Sequence, residues 1–200
     1  MLRREFISSL AATFITATQE QRTSGQKIAL AAKSQIGVTL SYDPSYLPIP
    51  YPGGDVPRRT GTCTDVVIRA YRDGLGLDLQ KLVHEDIERA YSDYPLQQPR
   101  SDTNIDHRRV LNLEAFWRRE GACQWTASSP TAGDAFPEPL LPGDILTWLV
   151  DGHLHHIGIV IAQTSTVTRL IHNMGGGTQE TELETFHTRA AKGHYRWPTA

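Results

Sequence analysis

Residues 151–161 read DGHLHHIGIVI: a glycine turn, three histidines within four positions, then an unbroken apolar run. The run is short, β-branched and bounded by polar turns, so it reads as a strand. In a strand Ile157, Ile159 and Ile161 share one face, and His156, Gly158 and Val160 share the other. Glycine inside a strand often marks the close approach of another element, here expected to be the start of a helix. Three further segments have the same character: DILTWLV at 144–150, TRLIHNM at 168–174 and HYRW at 194–197.

The first half of the chain has helical period instead. GQKIALAAKSQIGVTL (25–40) places Ile28, Ala31, Ala32, Gln35 and Ile36 on one side and is closed by Gly37. TCTDVVIRAYRDG (62–74) has Thr62 as N-cap, Asp65 as its capping-box partner and Gly74 as its stop. DLQKLVHEDIERAYSDY (78–94) forms a third helix, and NLEAFWRREG (112–121) a fourth, capped by Asn112, with Phe116 and Trp117 in the core. Between the first two lies SYDPSYLPIPYPGGDVPRRTG, whose five prolines and three glycines exclude a regular helix or a central strand. Helices first and strands afterwards predict an α+β domain with an antiparallel sheet.

The totals bound the function. Two hundred residues with a formal net charge of −2, 39% hydrophobic and 21% charged, describe one ordinary globular domain. Bulk electrostatics give no reason to expect a nucleic-acid partner, and no apolar run is long enough to span a bilayer. Residues 1–22 open with Arg3 and Arg4, continue through a mildly apolar run from Phe6 to Ala17 and end polar. That order suits an export signal, and RREFI resembles a twin-arginine signal, so a periplasmic or secreted location is expected for a single domain over 23–200. The competing reading is an amphipathic first helix of a cytoplasmic protein.

Two cysteines cannot make a disulfide scaffold. Cys63 sits in the first turn of its helix, where free N–H groups and the helix dipole favour a thiolate, and Asp65 opposes it. Alone, a cysteine on an apolar helix face reads as buried filler. A histidine partner turns it into a nucleophile. Antiparallel pairing of 156–161 with 168–174 through the QTSTV turn sets His156 roughly opposite residue 172 or 173, so His172 or Asn173 becomes the group that orients its ring. His153 and His155 fall on the polar approach to the strand. Cys123 reads as structural, and a Cys63–Cys123 bridge would disable the chemistry. His107, in NIDHRR, reads as a solvated helix approach, with a cleft for an acidic peptide as the alternative. His84, His187 and His194 have no local constellation.

GDVPRRTGTCTDVVIRAYRDGLGLDLQKLVHEDI, NIDHRR, PGDILTW, HHIGIVI and IHNMGGG together resemble a bacterial family known as domain of unknown function 1287, over roughly residues 25–197. That family in turn resembles the papain-like cell-wall hydrolases of NlpC type. The resemblance implies a papain-like fold, with TCTD carrying Cys63 as nucleophile, HIGI carrying His156 as base and IHN carrying His172 as orienting group. It also implies a tyrosine ahead of the cysteine near the scissile bond, either Tyr42 or Tyr51. The implied activity is cleavage of an amide bond in peptidoglycan stem peptides through an acyl-enzyme, without a cofactor. An immunity or inhibitor protein is an implied partner if the chain is a secreted toxin. The sequence departs from the NlpC pattern at Thr62, Thr64 and Asp65 and in its longer proline-rich loop, which puts the substrate pocket in question.

Two other classes compete. A zinc-binding hydrolase would use His153, His155 and His172 or Cys63. A non-catalytic module for cell wall or a partner would keep the fold without the reaction.

Overall fold

The computed structural model describes residues 21–96 and 99–198. The expected export segment falls almost wholly outside the described residues. In chain order the elements are α1 (Ser24–Lys33), β1 (Ser41–Tyr42), β2 (Thr60–Gly61), α2 (Cys63–Leu75), α3 (Leu79–Arg89), α4 (Val110–Arg119), β3 (Cys123–Thr126), β4 (Ile145–Val150), β5 (Leu154–Gln163), β6 (Thr168–Asn173), β7 (Thr178–Glu182) and β8 (Ala190–Tyr195). The class is α+β. Strands β3 to β8 make one antiparallel sheet in the order β3-β8-β4-β5-β6-β7, and β1 and β2 form a small parallel pair.

Each sheet face is covered by its own core. Ile145, Ile157, Ile159 and Ile171 pack with Ile28 of α1, Val66, Val67 and Ala70 of α2, and Leu113 and Trp117 of α4. Leu146, Trp148, Val160 and Leu170 project the other way and are covered by Phe136 and Leu140 from loops and by Phe186 of a short 3-10 helix. Burying an aliphatic or aromatic side chain of this size contributes about 1.5–3 kcal/mol, so alternation along β4, β5 and β6 fixes their orientation firmly.

The helix ends differ from expectation by small, explicable amounts. α2 runs past Gly74 and ends at Gly76, whose φ of 71° is the left-handed conformation that ends a helix. Gly74 serves packing instead: a Cβ there would lie 2.8 Å from the Lys27 carbonyl oxygen of α1. α4 starts at Val110 with Arg109 as N-cap, so Asn112 lies inside the first turn and does not cap it. Strands β3 and β7 carry no apolar period in the sequence, because CQWT and TQETE form the two edges of the sheet.

The proline-rich loop is ordered by two buried polar side chains. Arg69 of α2 donates to Asp55 (3.0 Å), to Thr39 Oγ1 (3.0 Å) and to the Val56 and Thr60 carbonyls (3.1 Å each). Gln80 Nε2 donates to the Pro50 carbonyl at 2.9 Å, and its Oε1 accepts from Gly54 N–H at 2.8 Å. The loop is thereby clamped in front of the N-terminus of α2.

Candidate active site

Cys63 is the first residue of α2 and is buried. Its N-terminal turn is locked by Asp65, whose Oδ2 accepts from the Thr62 N–H at 2.6 Å and from Thr62 Oγ1 at 3.0 Å. Arg108 closes on the same carboxylate with both arms, Nε to Oδ1 at 2.9 Å and Nη2 to Oδ2 at 3.0 Å. Burial would raise the Asp65 carboxyl, but Arg108 and the Thr62 N–H bring it below its ordinary value. The negative charge expected to oppose a thiolate is therefore paired.

Burial pushes Cys63 up to about 11, while the backbone N–H groups of Ile157, Thr64 and Cys63 pull the other way.

His156 lies on the sheet face away from α2. Its ring stacks near Phe186 (centroids 6.0 Å apart) and Trp148 (5.9 Å), and its Nε2 meets His172 Nδ1 at 3.2 Å. His172 Nε2 is in turn 2.9 Å from Thr181 Oγ1 of β7. Burial pushes His156 down to about 3, helped by His172 and Arg189, and pushes His172 down to about 4. The expectation that the face of His156 and Gly158 turns toward the cysteine helix is therefore corrected: the isoleucines turn that way. Gly158 makes room for His172 instead, since a Cβ would stand 3.4 Å from His172 Cβ and 3.2 Å from the Ile171 carbonyl oxygen. Ile159 pairs with Ile171, so the two histidine rings meet on the diagonal, not directly across.

His155 is the histidine on the helix side. It lines a cavity of ≈ 360 Å³ with Cys63, Tyr42, Arg108, Arg109 and Asn112. Its Nδ1 is buried without a partner among the described residues, and burial followed by the charge of Lys192 lowers its basicity. His153 is exposed on the turn before β5, its Nδ1 2.8 Å from the Asp151 carbonyl. His153, His155 and His172 thus point three ways, and among the described residues no three His, Cys, Asp or Glu side chains are placed to hold a metal ion. The zinc arrangement is not assembled here.

The two tyrosines separate. Tyr42 lines the Cys63 cavity, and burial with the nearby Cys63 and Asp65 pushes its hydroxyl up to about 12. Tyr51 packs edge-on against His84 at 5.0 Å, beside α3. Asn173 sits on the helix side and donates to the Gly61 and Ser41 carbonyls at 2.8 and 3.3 Å, anchoring the loop ahead of Cys63. It does not orient His156. Cys63 and Cys123 are both free thiols, the latter exposed on β3.

NIDHRR is not a solvated approach: His107 and Arg108 are buried. His194 also has company, its Nε2–H donating to Asp144 Oδ2 at 2.8 Å while Arg196 holds the same carboxylate at 2.7 Å. Arg108 is the functional residue that the sequence hides most, because its partner Asp65 lies 43 positions away.

Residues 29–197 match the profile of the family described as Domain of unknown function (DUF1287). The chain is also 44% identical over 187 residues to a protein of Escherichia coli (strain K12) described as Uncharacterized protein YijF, covering 91% of this chain and 86% of that one.

Proposed function

The chain belongs to the DUF1287 family, and we propose that it is a cysteine hydrolase with a papain-like arrangement of the NlpC type, cleaving an amide bond in peptidoglycan peptides. One observation carries this reading: Cys63, at the start of α2, lines one cavity with His155 and Tyr42.

His155, which shares the cavity with the Cys63 thiol, would be the base. The His156–His172–Thr181 chain lies on the opposite face, out of reach of the sulfur, and would fix the strand that carries His155. Burial pushes the resting thiol up to about 11 and lowers the basicity of His155, so both groups rest neutral. Proton transfer accompanies attack: sulfur bonds to the carbonyl carbon, the His155 imidazole takes the proton, and N–H groups at the start of α2 stabilise the oxyanion. The imidazolium protonates the leaving amine, and the C–N bond breaks. Water, deprotonated by the same imidazole, then releases the acid and regenerates the thiol.

His156 is the base that the resemblance implies, but its ring turns away from α2, which is why His155 is preferred. Digestion of purified peptidoglycan, followed by mass spectrometry of the released fragments, tests the proposal. The wild-type chain is expected to release amide-cleaved fragments and Cys63→Ala none; release by both would refute a cysteine mechanism.

A further inference from the structure

The helix face of the sheet covers a carboxylate that is only half satisfied. Glu114 of α4 is 1% exposed. Its Oε2 accepts from Lys192 Nζ of β8, and its Oε1 is buried without a hydrogen-bond partner among the described residues. A buried acceptor without a donor bears its full desolvation cost, so folded chains rarely keep one idle.

His155 of β5 has the complementary defect. It lines the Cys63 cavity, and its Nδ1 is buried without a hydrogen-bond partner among the described residues. A neutral imidazole with its proton on Nδ1 is a donor there and keeps a lone pair on Nε2. That tautomer would suit a base whose Nδ1 side is sealed and whose ring borders the thiol.

Three placements bring the two groups to one patch. Val110 and Leu111 line the Cys63 cavity, and Glu114 follows them one helical turn farther along α4, on the same side. α4 packs against both β5 and β8. On the sheet beneath it, His155 pairs with Leu149 of β4, and Leu149 pairs in turn with Ala190, in the strand that carries Lys192. The charge of Glu114 is felt at His155: burial and the Lys192 ammonium lower the basicity of the ring, and Glu114 raises it.

We propose that Glu114 is the positioning residue for His155, its free Oε1 accepting a hydrogen bond from His155 Nδ1–H. Both atoms stand unpaired in the structure, so the bond closes by rotation of the two side chains, and one bond satisfies both. It holds the proton on Nδ1 and leaves the Nε2 lone pair for the thiol. On attack the proton passes from Cys63 Sγ to Nε2 while Nδ1 keeps its own. The imidazolium so formed then faces a carboxylate in surroundings that otherwise penalise its charge. Lys192 fixes that carboxylate through the other oxygen. The inference rests on the hydrolase reading with His155 as base, and it takes the third member from a helix, not from the strand of His172.

The tautomer can be read without the reaction. Nitrogen NMR of the full chain with isotopically labelled histidine, at pH 7.5 where the ring is neutral, reports which nitrogen of each ring holds the proton. The signal that His155→Asn removes is that of His155. An unconstrained neutral histidine favours the Nε2–H form, whereas His155 is expected to be Nδ1–H. Glu114→Gln is expected to reverse it, because the amide oxygen then serves Lys192 and its N–H group faces Nδ1 as a donor. The same variant should lower kcat on peptidoglycan fragments by about 10–100-fold with KM unchanged, since Glu114 does not line the cavity. His155 as Nε2–H in the wild-type chain, an Nδ1–H form that survives Glu114→Gln, or an unchanged kcat would overturn the proposal. The wild-type signal needs no substitution, so it decides the matter even if Glu114→Gln fails to fold. Turnover by a wild-type chain with Nε2–H at His155 would keep the hydrolase and remove the pair. An Nδ1–H signal reversed by Glu114→Gln, in a chain that leaves peptidoglycan intact, would keep the pair and remove the hydrolase.

Discussion

The two faces of β5 solve opposite physical problems with adjacent residues. On the helix side, His155 and Ile157 look toward a charged site: a buried Asp65–Arg108 pair, a second arginine and two helix starts. On the far side, His156 and Gly158 look into an aromatic box of Trp148 and Phe186, where two histidines stay neutral. A pleated strand lets one histidine face the nucleophile while its neighbour anchors the strand on the other side, in surroundings that suit each.

The sharpest way to break this comparison is to exchange the two histidines. His155→Ala is expected to lower kcat/KM by about a thousandfold or more, as loss of a general base does. His156→Ala should cost about a hundredfold or less, by loosening the strand that carries His155. Assay on peptidoglycan fragments decides it, and the reverse ranking would move the base to the far face. Thiol reactivity sharpens the same point. With Cys63 pushed from 9.0 up to about 11, its thiolate fraction at pH 7 is about a hundredfold below that of an ordinary thiol. Iodoacetamide should therefore label Cys63 at least that much more slowly than a small model thiol, with a rate still climbing above pH 9. A plateau by pH 6 would mean that a thiolate–imidazolium pair already exists at rest.

Acid should separate the buried histidines from the Asp65–Arg108 pair by order of failure. His156 and His172 have folded values below the unfolded value of about 6.5, so the unfolded chain takes up protons first. Stability contributed by keeping them neutral is present above about pH 6.5 and is lost progressively as pH falls toward about 4. Asp65 is also depressed, so the contribution of its pair is present above about pH 4 and is lost only at lower pH. Urea midpoints from pH 7.5 to 3 should begin to decline near pH 6.5. A flat midpoint down to pH 4.5 would contradict neutral buried histidines. Arg108→Met, which strands the Asp65 charge, should cost about 3 kcal/mol at pH 7 and less near pH 3.

The sequence shows some of this plainly and some not at all. The α2 start, the order of β4, β5 and β6 and the sharing of one face by His156 and His172 follow from periods of 3.6 and 2, which are local. Which face meets the helix is not local. It depends on Phe136 and Phe186, which cover the side that Gly158 leaves open, and on α1, α2 and α4 claiming the isoleucines. Arg108 stays hidden for the same reason: its meaning comes from a partner 43 residues away. The β7 strand is polar throughout, yet its Thr181 terminates the histidine chain.

The smallest expected effect tests whether the far face works as a unit. His172→Asn keeps a hydrogen-bonding group beside His156, so a loss of about tenfold is expected, against about a hundredfold for His172→Leu. Gly158→Ala is gentler still. Its backbone is ordinary strand, so the added methyl meets no conformational penalty, only the Ile171 carbonyl oxygen at 3.2 Å, His172 Cβ at 3.4 Å and Trp148 Cζ3 at 3.5 Å. Those neighbours must yield a few tenths of an ångström, which should cost about 1 kcal/mol of stability. Because His172 is one of them, the same methyl should lower kcat by a few-fold while KM stays put, since nothing in the Cys63 cavity is touched. A variant that lost stability but kept kcat would show that the orientation of the His156–His172 pair is not what limits the reaction.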